Sequence, residues 1–175
     1  MCTKGTSLRT SSTRFPFLLP DERRVAPIFL FGYADLAGAV ARHSARPAAG
    51  LEQLYKQMAV NVLLRNTDDH LQNFSLLHIE EGWRLSPAYD IVPSIYQPGL
   101  ILQVNGKHEG IGPEDLIAEG RASGFSTARC RRLLQAVVDA LAPSWEEVFD
   151  RCGVPGEHTG RLREDMSRRF SRFGG

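Results

Sequence analysis

The length, composition and charge of the chain narrow the classes of protein to which it can belong. Its 175 residues fit a single domain, and an apolar content of 42% is ordinary for a globular protein with a buried core. The 21 basic and 20 acidic side chains leave no global field that would attract nucleic acid or lipid. The longest apolar run, residues 25–31, contains a proline and is too short to cross a bilayer or to act as a secretory signal.

The three cysteines predict neither a disulfide framework nor a zinc site. Cys2, Cys130 and Cys152 are an odd number and lack the spacing of metal ligands. Together with the absence of a predicted membrane segment, this favours a protein of the reducing cytoplasm.

Residues 1–30 are predicted to form a loose arm, and residues 31–175 a single domain. The first 24 residues are rich in Ser, Thr, Arg and Pro without helical or strand periodicity, so little order is expected before Val25. Apolar spacing then predicts a first helix from Tyr33 to about Ala45, broken by Pro47. A second, buried helix is predicted from Leu51 to about Asn66.

The loop after the second helix carries acidic and amide side chains at the spacing of a kinase catalytic loop. Asp68 is followed five residues later by Asn73, as in the pattern HRDxxxxN. In that pattern the aspartate accepts the proton of the substrate hydroxyl and the asparagine binds Mg²⁺. Asp90 follows in the position of the second magnesium ligand, the aspartate of the DFG motif.

A hairpin is predicted between this loop and Asp90. Its strands are Phe74–Ile79 and Trp83–Ala88, with Pro87 confined to the end of the second strand and His78 facing Trp83. A hairpin returns the chain to its starting point, so the side chains of Asp68, Asn73 and Asp90 are expected to converge on one magnesium nucleotide.

Several interpretations of the loop remain open. A Thr-Asp-Asp run after a helix is by itself more typical of a turn or a cap, and the hairpin and Asp90 favour the kinase interpretation. Asp69 is equally close to act as the base, but only Asp68 has the five-residue offset to Asn73, so Asp69 is interpreted as a structural carboxylate that holds the loop. His70 is predicted to orient the loop or to face the nucleotide, with a purely structural histidine as the alternative.

The rest of the chain is predicted to be mainly helical. After a short strand at Ile101–Val104, helices are predicted from Pro113 to about Ala122, from the N-cap Ser126 onward, and from a capping box of Ser144 and Glu147. A last amphipathic helix is predicted from about His158 to Phe173. Its basic side chains are typical of the solvated face of a helix; they are Arg161, Arg163, Arg168, Arg169 and Arg172. The predicted class is therefore mainly α (α+β), a helical domain like a kinase C-lobe with one or two small β-hairpins.

Two segments closely resemble the signature of the HipA family, the serine/threonine kinases of bacterial toxin–antitoxin modules. They read NTDDHLQNFSLL and GWRLSPAYDIVPS, and the upstream segments YADLA and MAVNVLLRNTDDH are also similar to the family. The resemblance implies that Asp68 is the catalytic proton acceptor and that Asn73 and Asp90 bind Mg²⁺. It also implies that His70 and Tyr89 lie near the ATP, beside Asn73 and Asp90. The family commonly has a lysine, suited to contact phosphate, where this chain has Gln72.

The resemblance implies an ATP- and magnesium-dependent protein kinase and its partners. In the family the protein substrate can be an aminoacyl-tRNA synthetase, and a HipB-like DNA-binding antitoxin neutralises the kinase. A kinase also needs a lid over the phosphates and a paired lysine, which family members carry in a long segment before the region matched here. Upstream of the loop this chain offers only Lys4 and Lys56, so we expect it to be an isolated C-lobe, inactive without a separate N-lobe.

Two other classes of function compete with the kinase. One is a non-catalytic binding module that uses the helices of the lobe to contact an antitoxin or a separately encoded N-lobe. The other is a metal-dependent phosphoesterase whose ligands would be Asp68, Asp69, His70 and Asp90, an arrangement that needs a two-metal pair.

Overall fold

The computed structural model describes residues 12–14, 27, 30–94 and 99–174. These residues form six α-helices and one antiparallel sheet of three short strands, which confirms the predicted mainly α class. In chain order the elements are β1 (Ser12–Arg14), α1 (Tyr33–His43), α2 (Pro47–Leu64), β2 (Ser75–Ile79), β3 (Gly82–Leu85), α3 (Pro113–Ala122), α4 (Thr127–Leu141), α5 (Trp145–Arg151) and α6 (Gly156–Phe173). Within the described residues, no helix is both long and apolar enough to cross a bilayer.

Helix α2 lies at the centre of the domain, where it contacts α1, α3, α4, α6 and β3. Its buried side chains recur at helical spacing and include Leu54, Tyr55, Met58 and Leu63. The helix ends because Arg65 adopts a left-handed backbone conformation, with φ of 52°, and its N–H bonds back to the helix. The candidate catalytic loop begins directly after this C-cap.

The predicted start of α2 is wrong by one turn. Pro47 does not only end the first helix but is the first residue of α2, while Ser44 in an extended conformation ends α1. The physical reason is that proline has its φ preset for a helix and needs no hydrogen bond for its nitrogen at this position.

The small sheet has the order β1-β2-β3, with β2 in the middle. In the predicted hairpin His78 is opposite Trp83, and their rings meet edge to face at 5.0 Å, as expected. The second strand is shorter than predicted and ends at Leu85, two residues before Pro87, which has no N–H for a ladder. The expectation of little order before Val25 is wrong for Ser12–Arg14, which pair with Ser75–Leu77; the rest of that segment lies outside the described residues.

The downstream helices follow their predicted boundaries more closely. Helix α3 begins at Pro113, and Ser126 caps α4 by accepting a hydrogen bond from the Arg129 N–H at 3.2 Å. The predicted capping box at Ser144 does not form, because the residue has a φ of −118° and a ψ of −13° instead of the extended backbone of an N-cap; its hydroxyl donates to the Ala140 carbonyl at 2.6 Å. The predicted strand at Ile101–Val104 is reduced to isolated bridges, such as the pairing of Gln103 with Gly32.

A buried carboxylate fixes the start of the candidate loop against the core. Asp69 is fully buried; its Oδ1 accepts hydrogen bonds from the N–H groups of Ile101 at 2.7 Å and Leu102 at 3.2 Å. Its Oδ2 accepts from the Tyr33 hydroxyl at 3.0 Å. These bonds confirm the interpretation of Asp69 as a structural carboxylate that holds the loop. Burial raises the pKa of Asp69 to about 6, although the hydrogen bonds favour its charged form.

Buried amides continue these contacts from α1 to the loop. The Tyr33 hydroxyl accepts from Asn61 Nδ2 at 2.8 Å, and Asn61 Oδ1 accepts from Asn66 Nδ2 at 3.2 Å. Both asparagines are buried, so each polar group is satisfied inside the protein rather than by bulk water. The loop is therefore held by side chains of α1 and α2 as well as by its own backbone.

The packing of α3 leaves no room for a side chain at Gly120. A Cβ there would lie 2.6 Å from Cys130 Sγ and 2.6 Å from Tyr55 Cε2. We expect Gly120→Ala to lower the free energy of unfolding by about 1–3 kcal/mol, measured by chemical denaturation. The control is Gly160→Ala in α6, where nothing lies within 4 Å and alanine should stabilise the helix by about 0.5–1 kcal/mol. Equal effects of the two substitutions would contradict this account of the packing.

The raised pKa of Asp69 makes stability depend on pH. The folded protein holds this proton up to about pH 6, whereas the unfolded chain releases it near 3.8. The contribution of this group is therefore fully present below the unfolded pKa and is lost as pH rises through the folded one, by roughly 3 kcal/mol in total. Unfolding of the wild type and of Asp69→Asn should be measured between about pH 4 and pH 7. The stability of the variant relative to the wild type should increase across this range; a pH-independent difference would refute the assignment.

Candidate active site

The candidate loop is tied to the segment that follows the hairpin. The side-chain oxygen of Asn66 accepts hydrogen bonds from the N–H groups of Asp68 at 3.4 Å and Val92 at 3.3 Å. Asn66 also forms an antiparallel bridge with Pro93. One buried amide therefore joins the residues on both sides of the hairpin.

Asn73 is held in one orientation by the residue that the sequence predicts as the base. It ends a turn of 3-10 helix, Leu71–Asn73, and its Nδ2 donates to the backbone carbonyl of Asp68 at 2.7 Å. Because this bond occupies the nitrogen side of the amide, Oδ1 is directed to the opposite side, as an oxygen ligand for a cation requires. The carboxylate of Asp68 itself points outward, with 59% of its side chain exposed.

Two hydrogen bonds, one before and one after Asp90, hold its segment against the candidate loop. The Tyr89 hydroxyl donates to the carbonyl of Gln72, the neighbour of Asn73, at 3.0 Å. Two residues after Asp90, the Val92 N–H bonds to Asn66. The hairpin thus returns the chain to the loop, as predicted, and leaves Asp90 exposed between these contacts.

The backbone of Asp90 is unusual for a residue with a side chain. Its φ of 57° places it in the left-handed region, which asparagine and aspartate tolerate better than other non-glycine residues. Such conformations persist only where the surrounding contacts enforce them, and they cluster at functional sites. The bonds of Tyr89 and Val92 are the contacts that enforce it here.

His70 is next to the candidate base. Its Nε2 lies 3.4 Å from Asp68 Oδ1, so the ring orients the carboxylate, in agreement with the loop-orienting interpretation. Its Nδ1 is buried and has no hydrogen-bond partner among the described residues. Proximity of His70 and Tyr89 to a nucleotide stays a prediction.

A cavity of about 420 Å³ opens beside Asp68. One wall is formed by the loop and by Val92, Pro93 and Ser94, and the other by side chains of the C-terminal helices and the turn between them. The latter are Phe149, Val154, His158 and Leu162. No local pattern in the sequence of α5 or α6 indicates which loop these helices will face.

The candidate site residues carry oxygen donors. Carboxylate oxygens of Asp68 and Asp90 and the amide oxygen of Asn73 are hard ligands of the kind that Mg²⁺ prefers. The described residues contain no group of three or more His, Cys, Asp and Glu side chains placed to hold a metal ion. Asp69 uses both carboxylate oxygens in the core, which removes a required ligand from the phosphoesterase alternative.

The two upstream lysines have different surroundings. Lys56 lies on α2 and forms an ion pair of 2.8 Å with Glu52, which also binds Arg129 of α4. Lys4 lies outside the described residues. The only lysine described upstream of the loop is therefore paired with a glutamate of its own helix.

Comparisons with known proteins agree on one family. The sequence profile of the HipA-like C-terminal domain matches residues 19–145. The putative kinase Y4mE of Sinorhizobium fredii is 30% identical over 127 residues, which cover 67% of this chain and 30% of the relative. A chain in the solved complex of HipA, HipB and operator DNA from Shewanella oneidensis MR-1 superposes with a TM-score of 0.65 at 17% identity. That match covers 81% of this chain and 34% of the solved one.

These matches carry different weight. The structural likeness shows a shared fold, and this chain spans only about a third of the length of either relative. The profile match, in contrast, covers most of the chain, including α1 to α4 and the whole candidate loop. The chain therefore belongs to the HipA-like C-terminal domain family.

Proposed function

We propose that this domain is the C-lobe of a HipA-like serine/threonine protein kinase, which transfers the γ-phosphoryl group of ATP to a protein hydroxyl with Mg²⁺. The observation that carries the proposal is the double tie between the loop and the Asp90 segment. Asn66 binds the N–H groups of Asp68 and Val92, and Tyr89 binds the Gln72 carbonyl. These bonds keep the three predicted functional side chains on adjoining segments.

Each residue has a distinct part in the proposed reaction. The exposed Asp68 carboxylate accepts a hydrogen bond from the acceptor hydroxyl, orients its oxygen, and takes its proton as the new O–P bond forms and the bond between the γ-phosphorus and the bridging oxygen breaks to release ADP. His70 holds that carboxylate in place. Asn73 Oδ1 and the Asp90 carboxylate would hold the magnesium ion, and Mg²⁺-ATP supplies the transferable phosphoryl group and the charge neutralisation.

The cavity next to Asp68 supports a protein acceptor. Its volume of about 420 Å³ is within the range of a ligand pocket, and the side chains of Phe149, Val154 and Leu162 give it an apolar wall. A serine or threonine in a peptide segment would reach Asp68 while a neighbouring apolar side chain occupies the cavity.

Partners and the second lobe are proposed from the relatives. The solved Shewanella complex contains HipB and operator DNA, so we propose a HipB-like DNA-binding antitoxin as partner. An aminoacyl-tRNA synthetase is the proposed class of substrate. Since the relatives are about three times as long as this chain, clamping of the phosphates is proposed to come from an N-lobe, in the same polypeptide or in a separate one.

A non-catalytic binding module is the second candidate. It is favoured by Gln72 at the position of the common lysine and by the pairing of Lys56 with Glu52. In that case the helices would bind an antitoxin or an N-lobe without phosphoryl transfer. Measurement of transfer separates the two candidates.

The proposed base is tested in a hybrid that joins the N-terminal part of the Sinorhizobium relative to this 175-residue chain. With labelled ATP and Mg²⁺ the hybrid should phosphorylate protein hydroxyls, whereas this chain alone should not. Asp68→Asn should reduce the rate by roughly 10²- to 10⁴-fold, because the acceptor of the hydroxyl proton is lost.

The matched control is Asp139→Asn, an exposed aspartate of α4 that bonds only to Gln135 among the contacts described, and it should leave the rate unchanged. Transfer that survives Asp68→Asn would refute the role of Asp68. A folded hybrid that binds ATP but transfers nothing would favour the binding module.

The metal ligands are tested by calorimetry on this chain. Asn73 and Asp90 are too few ligands to hold Mg²⁺ tightly without phosphates, so binding should be millimolar or weaker, about 4 kcal/mol or less. At such concentrations Mn²⁺ should broaden the side-chain amide signal of Asn73 in NMR spectra, and Asp90→Asn should abolish the broadening while it preserves the left-handed backbone. Asp139→Asn is again the control. Micromolar affinity for the bare ion would instead point to a preassembled metal cage.

A further inference from the structure

A second cavity, of about 110 Å³, lies between the C-terminal end of α2, the loop at residues 108–111 and α6. It shares no lining residue with the cavity beside Asp68. Three guanidinium groups line it, those of Arg65, Arg169 and Arg172. Nothing in the proposed phosphoryl transfer uses this place.

Arg169 has a buried donor without an acceptor. The side chain was expected on a solvated helix face, but only 8% of the residue is exposed, because α6 turns it towards α2. One terminal nitrogen donates to the Leu63 carbonyl at 3.0 Å and the other binds the Asp165 carboxylate. Its Nε is buried and has no partner among the described residues. Buried N–H groups are nearly always hydrogen-bonded, so this donor lacks an acceptor in a residue that also lines the cavity.

The charges around the cavity are unbalanced in favour of cations. The single Asp165 carboxylate is shared by Arg169, Arg65 at 3.9 Å and Arg168 at 3.7 Å. Arg172 has no carboxylate within ion-pair distance among the described residues. The one carboxylate in the lining belongs to Glu109, which is exposed. Burial and the nearby Arg65 charge lower the pKa of Arg169, although a guanidinium stays protonated in proteins.

Arg172 is an exposed residue whose guanidinium lies next to Gly112. It packs on Gly112, where an added Cβ would lie 2.9 Å from its Nη2. A side chain at residue 112 would therefore displace the guanidinium. The three arginines that line the cavity are thus the buried Arg169, Arg65 at the C-cap of α2, and Arg172 next to Gly112.

We propose that this cavity binds a phosphate-type oxyanion, to which Arg169 Nε, Arg65 and Arg172 donate hydrogen bonds. Guanidinium groups match phosphate oxygens in geometry and charge. The cavity volume of about 110 Å³ has room for a phosphate group. Inorganic phosphate and the phosphate of a modified side chain share this chemistry.

Binding of the anion would connect two parts of the domain. Arg65 is the left-handed C-cap of α2 and precedes Asn66, whereas Arg169 and Arg172 belong to α6. An anion held by all three would fix α6 against the end of α2. The inference goes beyond the proposed kinase and does not depend on it.

The test is a titration of the whole chain with inorganic phosphate, against sodium chloride at equal ionic strength. The Nε–Hε signal of Arg169 should shift and saturate in ¹⁵N NMR spectra, and calorimetry should give the dissociation constant. Arg172→Gln should weaken binding roughly tenfold or more through the loss of a charge-assisted hydrogen bond. Arg168→Gln is the matched control, since Arg168 is 71% exposed and outside the cavity; it should change binding by about twofold or less.

A phosphoserine peptide and its unphosphorylated form identify the source of the anion. Tighter binding of the phosphopeptide than of phosphate, with the same dependence on Arg172, would assign the site to a modified side chain. Equal binding would assign it to the free anion. The proposal is overturned if the Arg169 signal does not saturate, or if Arg172→Gln and Arg168→Gln weaken binding equally. In either case the unpaired Nε–H of Arg169 does not bind an anion.

Discussion

The structure depends on one buried carboxylate, that of Asp69. A charged or polar group without access to water is costly unless its hydrogen bonds are made, and here both oxygens accept bonds from different parts of the chain. The Tyr33 hydroxyl comes from α1, and the Ile101 and Leu102 N–H groups come from a segment that otherwise has only isolated bridges. The side chains of the two adjacent residues Asp68 and Asp69 point in different directions, so Asp69 is buried while Asp68 is exposed. One aspartate supports the fold and its neighbour is left for chemistry.

Two buried asparagines extend that constraint to the other side of the site. Asn61 connects the tyrosine of α1 to Asn66, and Asn66 connects the loop to Val92. In a medium of low polarity, such linked hydrogen bonds strengthen each other and specify one arrangement. The position of Asp90 is thus coupled to the core through amide side chains. A sequence that lost either amide would leave buried partners unpaired, which costs more than the bond itself contributes.

Features encoded by neighbouring residues were predictable, whereas those decided by distant contacts were not. Proline at the start of α3 and the Ser126 cap are local features and were predicted correctly. The predicted capping box at Ser144 was wrong because this residue has a near-helical backbone, and its hydroxyl donates to the Ala140 carbonyl of the preceding helix. The α5–α6 wall beside Asp68 and the burial of Arg169 arise from packing between segments far apart in sequence, for which a single sequence gives no signal.

The three-residue strand β1 has a consequence for the behaviour of the domain in solution. It pairs with Ser75–Leu77 and covers the outer edge of the hairpin that leads to Asp90. So short a strand has few hydrogen bonds, and an uncovered edge presents N–H and carbonyl groups to any extended chain. A protein shortened past Arg14 would lose β1 and offer this edge to the same uncovered edge of another copy, so that edge-to-edge self-association would accompany trimming of the N-terminus.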